Sequence, residues 1–280
     1  MRLALFLLKI GIFCSEFNNL NGQPLFATAG AVADPVNGQL PFIALLTNNR
    51  GEHLCTGSLI SEKHVLTAAS CLNKISPTSN TKVVLGTLDH WSPAHNKFDI
   101  QSTLTYKTWC MLHPASCFYE KFTDDIGIIL LKTKNAKIRP TMIKDSKFEP
   151  GLKLRVIGWG ENGDRVPPQK PRKAVMTVLS KQECEQRVKN LVHPCFSDVV
   201  LPDKVSCAVS DPPILVAEGD TGGPAFLKSD KHISGIVIQR CPVYGPHDVN
   251  PQQVNLILRL SDFYTFIFDV MKHDQYFMIS

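Results

Sequence analysis

Between Leu40 and Leu260 the chain offers only short extended runs, and this spacing limits the folds open to it. Residues 40–46, 56–60, 64–68, 82–85, 126–131, 153–157, 174–179, 232–238 and 254–260 are mostly rich in Val, Ile, Leu or Thr. Most end at Gly, Pro, Asn or Asp. Side chains branched at Cβ suit a pleated, half-buried surface, and turn formers stop each run before it lengthens. Many short strands at such spacing point to an all-β barrel or sandwich. The tail is different. Phe263, Phe266, Ile267, Val270 and Met271 recur at helical spacing, which predicts a terminal amphipathic helix. At 280 residues the chain can bury one large core or two smaller ones.

The N-terminus has the pattern of a secretory signal. Arg2 gives a positive start, and residues 3–8 and 10–13 form an apolar stretch interrupted by Lys9. The stretch is too short for a spanning helix, and no later run reaches the length of one. We expect residues 1–22 to be the signal, with a cut after Gly22, and 23–280 to form one domain. Nine cysteines fit an oxidising compartment. Cys14 falls in the signal, which leaves Cys55, Cys71, Cys110, Cys117, Cys184, Cys195, Cys207 and Cys241. No Cys-x-x-Cys pair occurs, which argues against a zinc ribbon or a thioredoxin-like redox site. No metal and no cofactor is expected. The net charge of +5 is mild and does not imply a nucleic-acid partner.

Two motifs carry the chemistry. Gly219 to Pro224 reads Gly-Asp-Thr-Gly-Gly-Pro, and Val65 to Cys71 reads Val-Leu-Thr-Ala-Ala-Ser-Cys. With them stand Pro41-Phe42, Cys55-Thr56-Gly57-Ser58-Leu59-Ile60, Gly158-Trp159-Gly160, and the run from Asp125 to Leu131, Asp-Ile-Gly-Ile-Ile-Leu-Leu. In this order the segments resemble the trypsin/chymotrypsin-like serine proteases, over nearly the whole chain beyond the signal. The resemblance implies two six-stranded antiparallel β-barrels with a C-terminal α-helix, and an active cleft between the barrels.

The resemblance breaks at the reacting groups. The family has Ser as nucleophile where this chain has Thr221, and His as general base where it has Ser70. Asp125 keeps the place of the triad carboxylate. The mechanism needs a hydroxyl that attacks, an imidazole that takes its proton and a carboxylate that holds the imidazole. A hydroxyl with a pKa far above 7 cannot take that proton at a useful rate. Thr221 then has nothing to activate it, and its methyl crowds the attack site. His64 shares a strand with the segment that leads to Ser70, while His53, His90, His95 and His113 fall in expected loops. The plain reading of each is a surface or packed residue. No catalytic residue is therefore assigned; Ser70, Asp125 and Thr221 are degenerate triad positions. The chain reads as a secreted protease homologue that works by binding, as a cofactor, decoy or regulator of an extracellular protease cascade or as a component of venom or saliva. Its partner would be an extracellular protein, either a protease or the substrate or inhibitor of one. Two other readings are a weak hydrolase using Thr221 and a secreted effector that binds polyanions.

Activation and specificity also depart from the family. Family precursors are cut after Arg or Lys, and the new ammonium pairs with the carboxylate before the nucleophile, here Asp220. No Arg or Lys lies between Lys9 and Arg50, and Ala29-Gly30-Ala31-Val32 stands where Ile-Val-Gly-Gly is usual. Either Asp220 finds another donor, or its loop stays in a precursor-like arrangement. Leu215 takes the floor of the specificity pocket, and Arg240 and Asn255 take places where the family keeps glycines. Ala217 replaces the Cys that would face Cys241. The resemblance also pairs Cys55 with Cys71 and Cys184 with Cys207. Cys110 with Cys117 would close a private loop, leaving Cys195 for Cys241, with a free Cys241 as the alternative. From Lys132 to Asn190 there are 15 Lys and Arg against 6 Asp and Glu. Arg165, Lys170, Arg172 and Lys173 crowd a Pro-rich loop beside the cleft. They form either an exosite for an acidic protein or a sulfated polysaccharide, or an ordinary solvated loop.

Overall fold

The computed structural model describes residues 40–48, 50–75, 81–86, 96–114, 117, 124–160, 170–191, 201–217, 219–228, 230–241 and 252–278. The expected signal, residues 1–22, lies outside them. Twelve strands form two closed barrels, and every pairing within them is antiparallel. The first is built from β1 (Ile43–Thr47), β2 (His53–Leu59), β3 (His64–Thr67), β4 (Lys82–Leu85), β5 (Asn96–Thr105) and β6 (Gly127–Leu131), in the order β1-β2-β3-β6-β5-β4. The second is built from β7 (Lys153–Gly158), β8 (Arg172–Val178), β9 (Val205–Val209), β10 (Pro224–Leu227), β11 (Gly235–Cys241) and β12 (Val254–Arg259), in the order β10-β11-β12-β9-β8-β7. Closure leaves no strand edge to template another chain. Among the described residues four α-helices complete the framework: α1 (Ala69–Leu72), α2 (Tyr106–Leu112), α3 (Lys181–Leu191) and α4 (Tyr264–Lys272). No helix among the described residues is long and apolar enough to cross a membrane.

Register places the cleft. Thr67 on β3 pairs with Gly127 on β6, so the chain leaving β3 toward Ser70 runs beside the chain entering β6 from Asp125. In the second barrel Asn255 on β12 lies between Arg240 on β11 and Ala208 on β9.

Three strands and three helices were not legible in the sequence. β5 alternates exposed Lys97, Asp99 and Gln101 with inward Phe98 and Ile100, so too few apolar residues mark it. β9 and β10 are short runs beside turn residues. α3 is polar, and of its residues Cys184 and Val188 are the buried pair, one turn apart.

The barrels are joined by ion pairing and by the tail. Asp124, buried just before β6, meets Lys204 of the second barrel at 2.5 Å. The tail then crosses to the first barrel. Tyr106 takes the edges of Phe263 and Phe266 at 4.9 and 5.4 Å, and the Trp109 indole donates to Asp269 at 2.8 Å. Beyond α4, Ser102 Oγ donates to the Phe277 carbonyl, and Lys63 pairs with Asp274. His64 is buried against Phe277 with its Nδ1 2.7 Å from Ser61 Oγ. Burial, and then the charge of Lys63, lower the His64 pKa from 6.5 to about 4.

Two outcomes are expected. Lys204→Met removes the cation beside a buried carboxylate and should destabilise the fold by about 3–5 kcal/mol, with Asp124→Leu added to it recovering most of the loss. Urea midpoints of the two variants check this. His64 stays neutral in the folded chain while its unfolded form charges below pH 6.5. Its contribution is complete above pH 6.5 and is lost as pH falls toward 4, by up to about 3 kcal/mol. Unfolding of wild type and His64→Phe between pH 7 and 4 should show a shallower decline for the variant.

Candidate functional site

α1 begins immediately after β3, and Ala68 gives it no side-chain cap. The missing acceptor comes from across the barrel. The Ser70 backbone N–H donates to Asp125 Oδ1 at 2.6 Å, and Ser70 Oγ donates to Asp125 Oδ2 at 2.8 Å. The Ala69 backbone also donates to this carboxylate. Burial pushes the Asp125 carboxyl up from its usual range, and these donors pull against that shift. Ser70 itself is exposed. The Cys55–Cys71 disulfide, with Cα atoms 6.0 Å apart, ties α1 to β2.

The 219–224 loop belongs to the second barrel but is pinned to the first. Thr56 Oγ1 donates to the Gly219 carbonyl at 2.8 Å, and the Thr56 N–H donates to the Thr221 carbonyl at 3.0 Å. Gly222 has φ +81°, and a Cβ there would fall 2.1 Å from Thr67 Oγ1 and 2.4 Å from the Thr56 carbonyl. Only glycine fits that contact. Thr221 is half-buried, and among the described residues its hydroxyl makes no hydrogen bond. Asp220 turns away into the second barrel, where Gly160 N–H donates to Oδ1 at 2.7 Å and Ala217 N–H to Oδ2 at 2.9 Å. Asp220 thus has donors other than a chain terminus. Burial raises its pKa, opposed by those two N–H groups and then by the charge of Arg172.

A polar rivet sits in the second barrel. Asn255 is fully buried. Its Oδ1 accepts from Val216 N–H at 2.8 Å, and its Nδ2 donates to the carbonyls of Ile214 at 2.8 Å and Ala208 at 3.2 Å. Leu215, also buried, sits between the two residues that Asn255 holds. Arg240 lies on β11 opposite Asn255, and its side chain falls outside the described residues.

The basic loop is shorter than the sequence suggests. Arg172 and Lys173 are the first two residues of β8, half-buried, and line a cavity of about 30 Å³ together with Asp220, Gly158 and Gly160. Pairing of Arg172 with Gly158 continues the β7–β8 ladder and draws both side chains out of the loop. Lys170 is exposed just before the strand, and Arg165 lies outside the described residues. Disulfides join Cys110 to Cys117 and Cys184 to Cys207. Cys195 and the Cys241 side chain lie outside the described residues, and their pairing with them. Among the described residues no three His, Cys, Asp or Glu side chains converge as a metal site.

Sequence reasoning missed His53. It was expected in a loop, but it opens β2, where the ladder to β1 begins at the Thr47–His53 pair. Its ring packs on Gly219, so close that a Cβ there would stand 2.7 Å from Nδ1, and meets Trp159 edge-on at 6.3 Å. The signal for it was the run His-Leu-Cys-Thr-Gly, which extends the strand upstream. His113 caps the C-terminus of α2 and stacks on Trp109 at 4.4 Å rather than lying in an open loop.

Asn255→Leu should remove three hydrogen bonds from buried backbone groups, the Val216 N–H and the carbonyls of Ile214 and Ala208. At about 1–3 kcal/mol each, the loss is at least about 3 kcal/mol, or roughly 6–12 °C in a domain of this size. Thermal unfolding checks this; an unchanged Tm would mean that the rivet contributes nothing.

Comparison with known proteins follows this geometry. A family model described as Trypsin matches residues 31–254. Granzyme-like protein 1 of the rat, Rattus norvegicus, is 29% identical over 253 residues, covering 87% of this chain and 90% of that protein. The structure of neuropsin, described as a serine protease expressed in the limbic system of mouse brain, superposes with a TM-score of 0.68. It is 19% identical and is covered over 97% of its length by 85% of this chain.

Proposed function

We propose, from the premise that this chain belongs to the trypsin family, that it is a secreted member which binds and does not cleave. One observation carries the reading: both polar hydrogens of Ser70 are spent on Asp125, where the mechanism requires an imidazole. Serine has no ring to span from the carboxylate to Thr221 and no lone pair basic enough to take a proton near neutrality. Thr221 therefore keeps a hydroxyl of ordinary, very weak nucleophilicity. In subtilisin, loss of the base or the nucleophile alone lowers turnover by on the order of 10⁶-fold. Two residues at places that the family resemblance gives to the specificity pocket support the same reading, since Asn255 and Leu215 are both buried and Asn255 is bonded to backbone.

The scaffold meanwhile stays intact. Three disulfides among the described residues suit an oxidising, extracellular setting. The apolar N-terminus with Arg2 supports export. A closed double barrel with a dead cleft is suited to acting as a cofactor, decoy or regulator that engages a protease, or the substrate or inhibitor of one. The secreted chain should give no turnover on a broad peptide library. Turnover abolished by Thr221→Ala would overturn the reading. Ser70→His with Thr221→Ser should still cleave poorly, because the residues at the specificity-pocket places are also changed.

A further inference from the structure

Asp220 carries a charge that the loop around it does not answer. Its carboxylate is wedged against two glycines; a Cβ on Gly158 would fall 2.2 Å from Oδ1, and one on Gly160 2.1 Å from Oδ2. The two N–H groups it accepts from are neutral dipoles. A carboxylate enclosed this tightly is costly unless a cation lies close by. The chain upstream of the barrels holds no Arg or Lys between Lys9 and Arg50, so no cut after a basic residue can create a new ammonium there.

A cation stands on the neighbouring strand. Arg172 begins β8, and its backbone partner on β7 is Gly158, one of the two glycines against which Asp220 rests. Arg172, Lys173 and Asp220 line the same cavity. This position follows from strand register and not from a loop that must find it. Lys173 lines the same cavity, and the His53 ring approaches from β2 against Gly219.

We infer that Arg172 is a positioning residue that supplies the counter-charge to Asp220 from within the folded chain, so that the Thr221 loop is set without any cut upstream. The proposal rests on the reading that this loop serves binding, only in saying what the loop is kept ordered for. Asp220 fixes Gly219 and Thr221 on either side of it, and those two carbonyls are the ones that Thr56 holds. Arg172 thereby sets the shape of the cleft wall without touching a partner. It also gives Arg172 a task that competes with a role in a surface exosite.

Amide hydrogen exchange on the full secreted chain tests this. Arg172→Gln should speed exchange across residues 217–223 by about 10-fold or more at pH 7, while β1 and β12 keep their protection. Arg172→Lys should restore protection. So should adding Asp220→Asn to Arg172→Gln, because removing the charge removes the need for a counter-charge; a packing role for Arg172 would not be rescued in this way. A short N-terminal extension of the mature chain should leave exchange unchanged. Wild-type exchange in Arg172→Gln, no rescue by Asp220→Asn, or loss of protection on N-terminal extension would each overturn the inference. If Arg172→Gln alone does not fold, the double variant decides: recovery of folded protein with wild-type exchange supports the pairing, and failure to fold overturns it. No substrate is present, so turnover found in the peptide-library assay would leave this result standing.

Discussion

The backbone of Thr56 and its side chain hold the loop of one barrel against the wall of the other, and the cleft takes its form from that contact. Its N–H and Oγ1 bond the carbonyls of Thr221 and Gly219, which flank Asp220. Such an approach is possible only because position 222 has no Cβ to strike Thr67. Thr67 Oγ1 in turn donates to the Thr56 carbonyl, so strands β2 and β3 present a braced surface to the loop. The Asp124–Lys204 pair fixes the barrels again one residue before Asp125. Barrel docking and cleft geometry are one set of contacts.

Within that frame, the polar residues of the cleft are tied into the structure by their hydrogen bonds. Asp125, which would orient an imidazole, instead receives the start of α1 through Ser70 and Ala69. Asn255 ties three backbone groups from two segments. Asp220 keeps its buried place but draws on Gly160, Ala217 and Arg172. Buried polar groups of this kind are costly to leave unpaired, and here their hydrogen bonds are made within the fold.

The double barrel was legible because its strands announce themselves as apolar runs closed by turn residues, and because six short motifs fall in one order. What stayed hidden depended on partners far away in sequence. β5 looks polar until β4 and β6 bury one of its faces. α3 buries Cys184 and Val188 among its described side chains, too few for a periodic signal. At the site, Ser70, Asp125 and Thr221 could be named from motifs and Asn255 by counting back from the terminal helix, but the two bonds between Ser70 and Asp125 and the three made by Asn255 come from register. Arg172 and Lys173 were read as loop because Pro167, Pro168 and Pro171 precede or flank them; the ladder to β7 overrides that local signal. His53 and Asp124 carry no motif, and only tertiary packing shows that they abut the cleft.

The central claim, that Thr221 has no activating partner, is open to one direct measurement. A fluorophosphonate forms a covalent adduct with an activated hydroxyl and ignores an ordinary one. Intact-mass analysis of the secreted chain after prolonged exposure to the probe, with an active family member as positive control, should show no added mass. An adduct mapped to Thr221 would contradict the account, because it would require a base in the cleft that Ser70 and Asp125 do not provide.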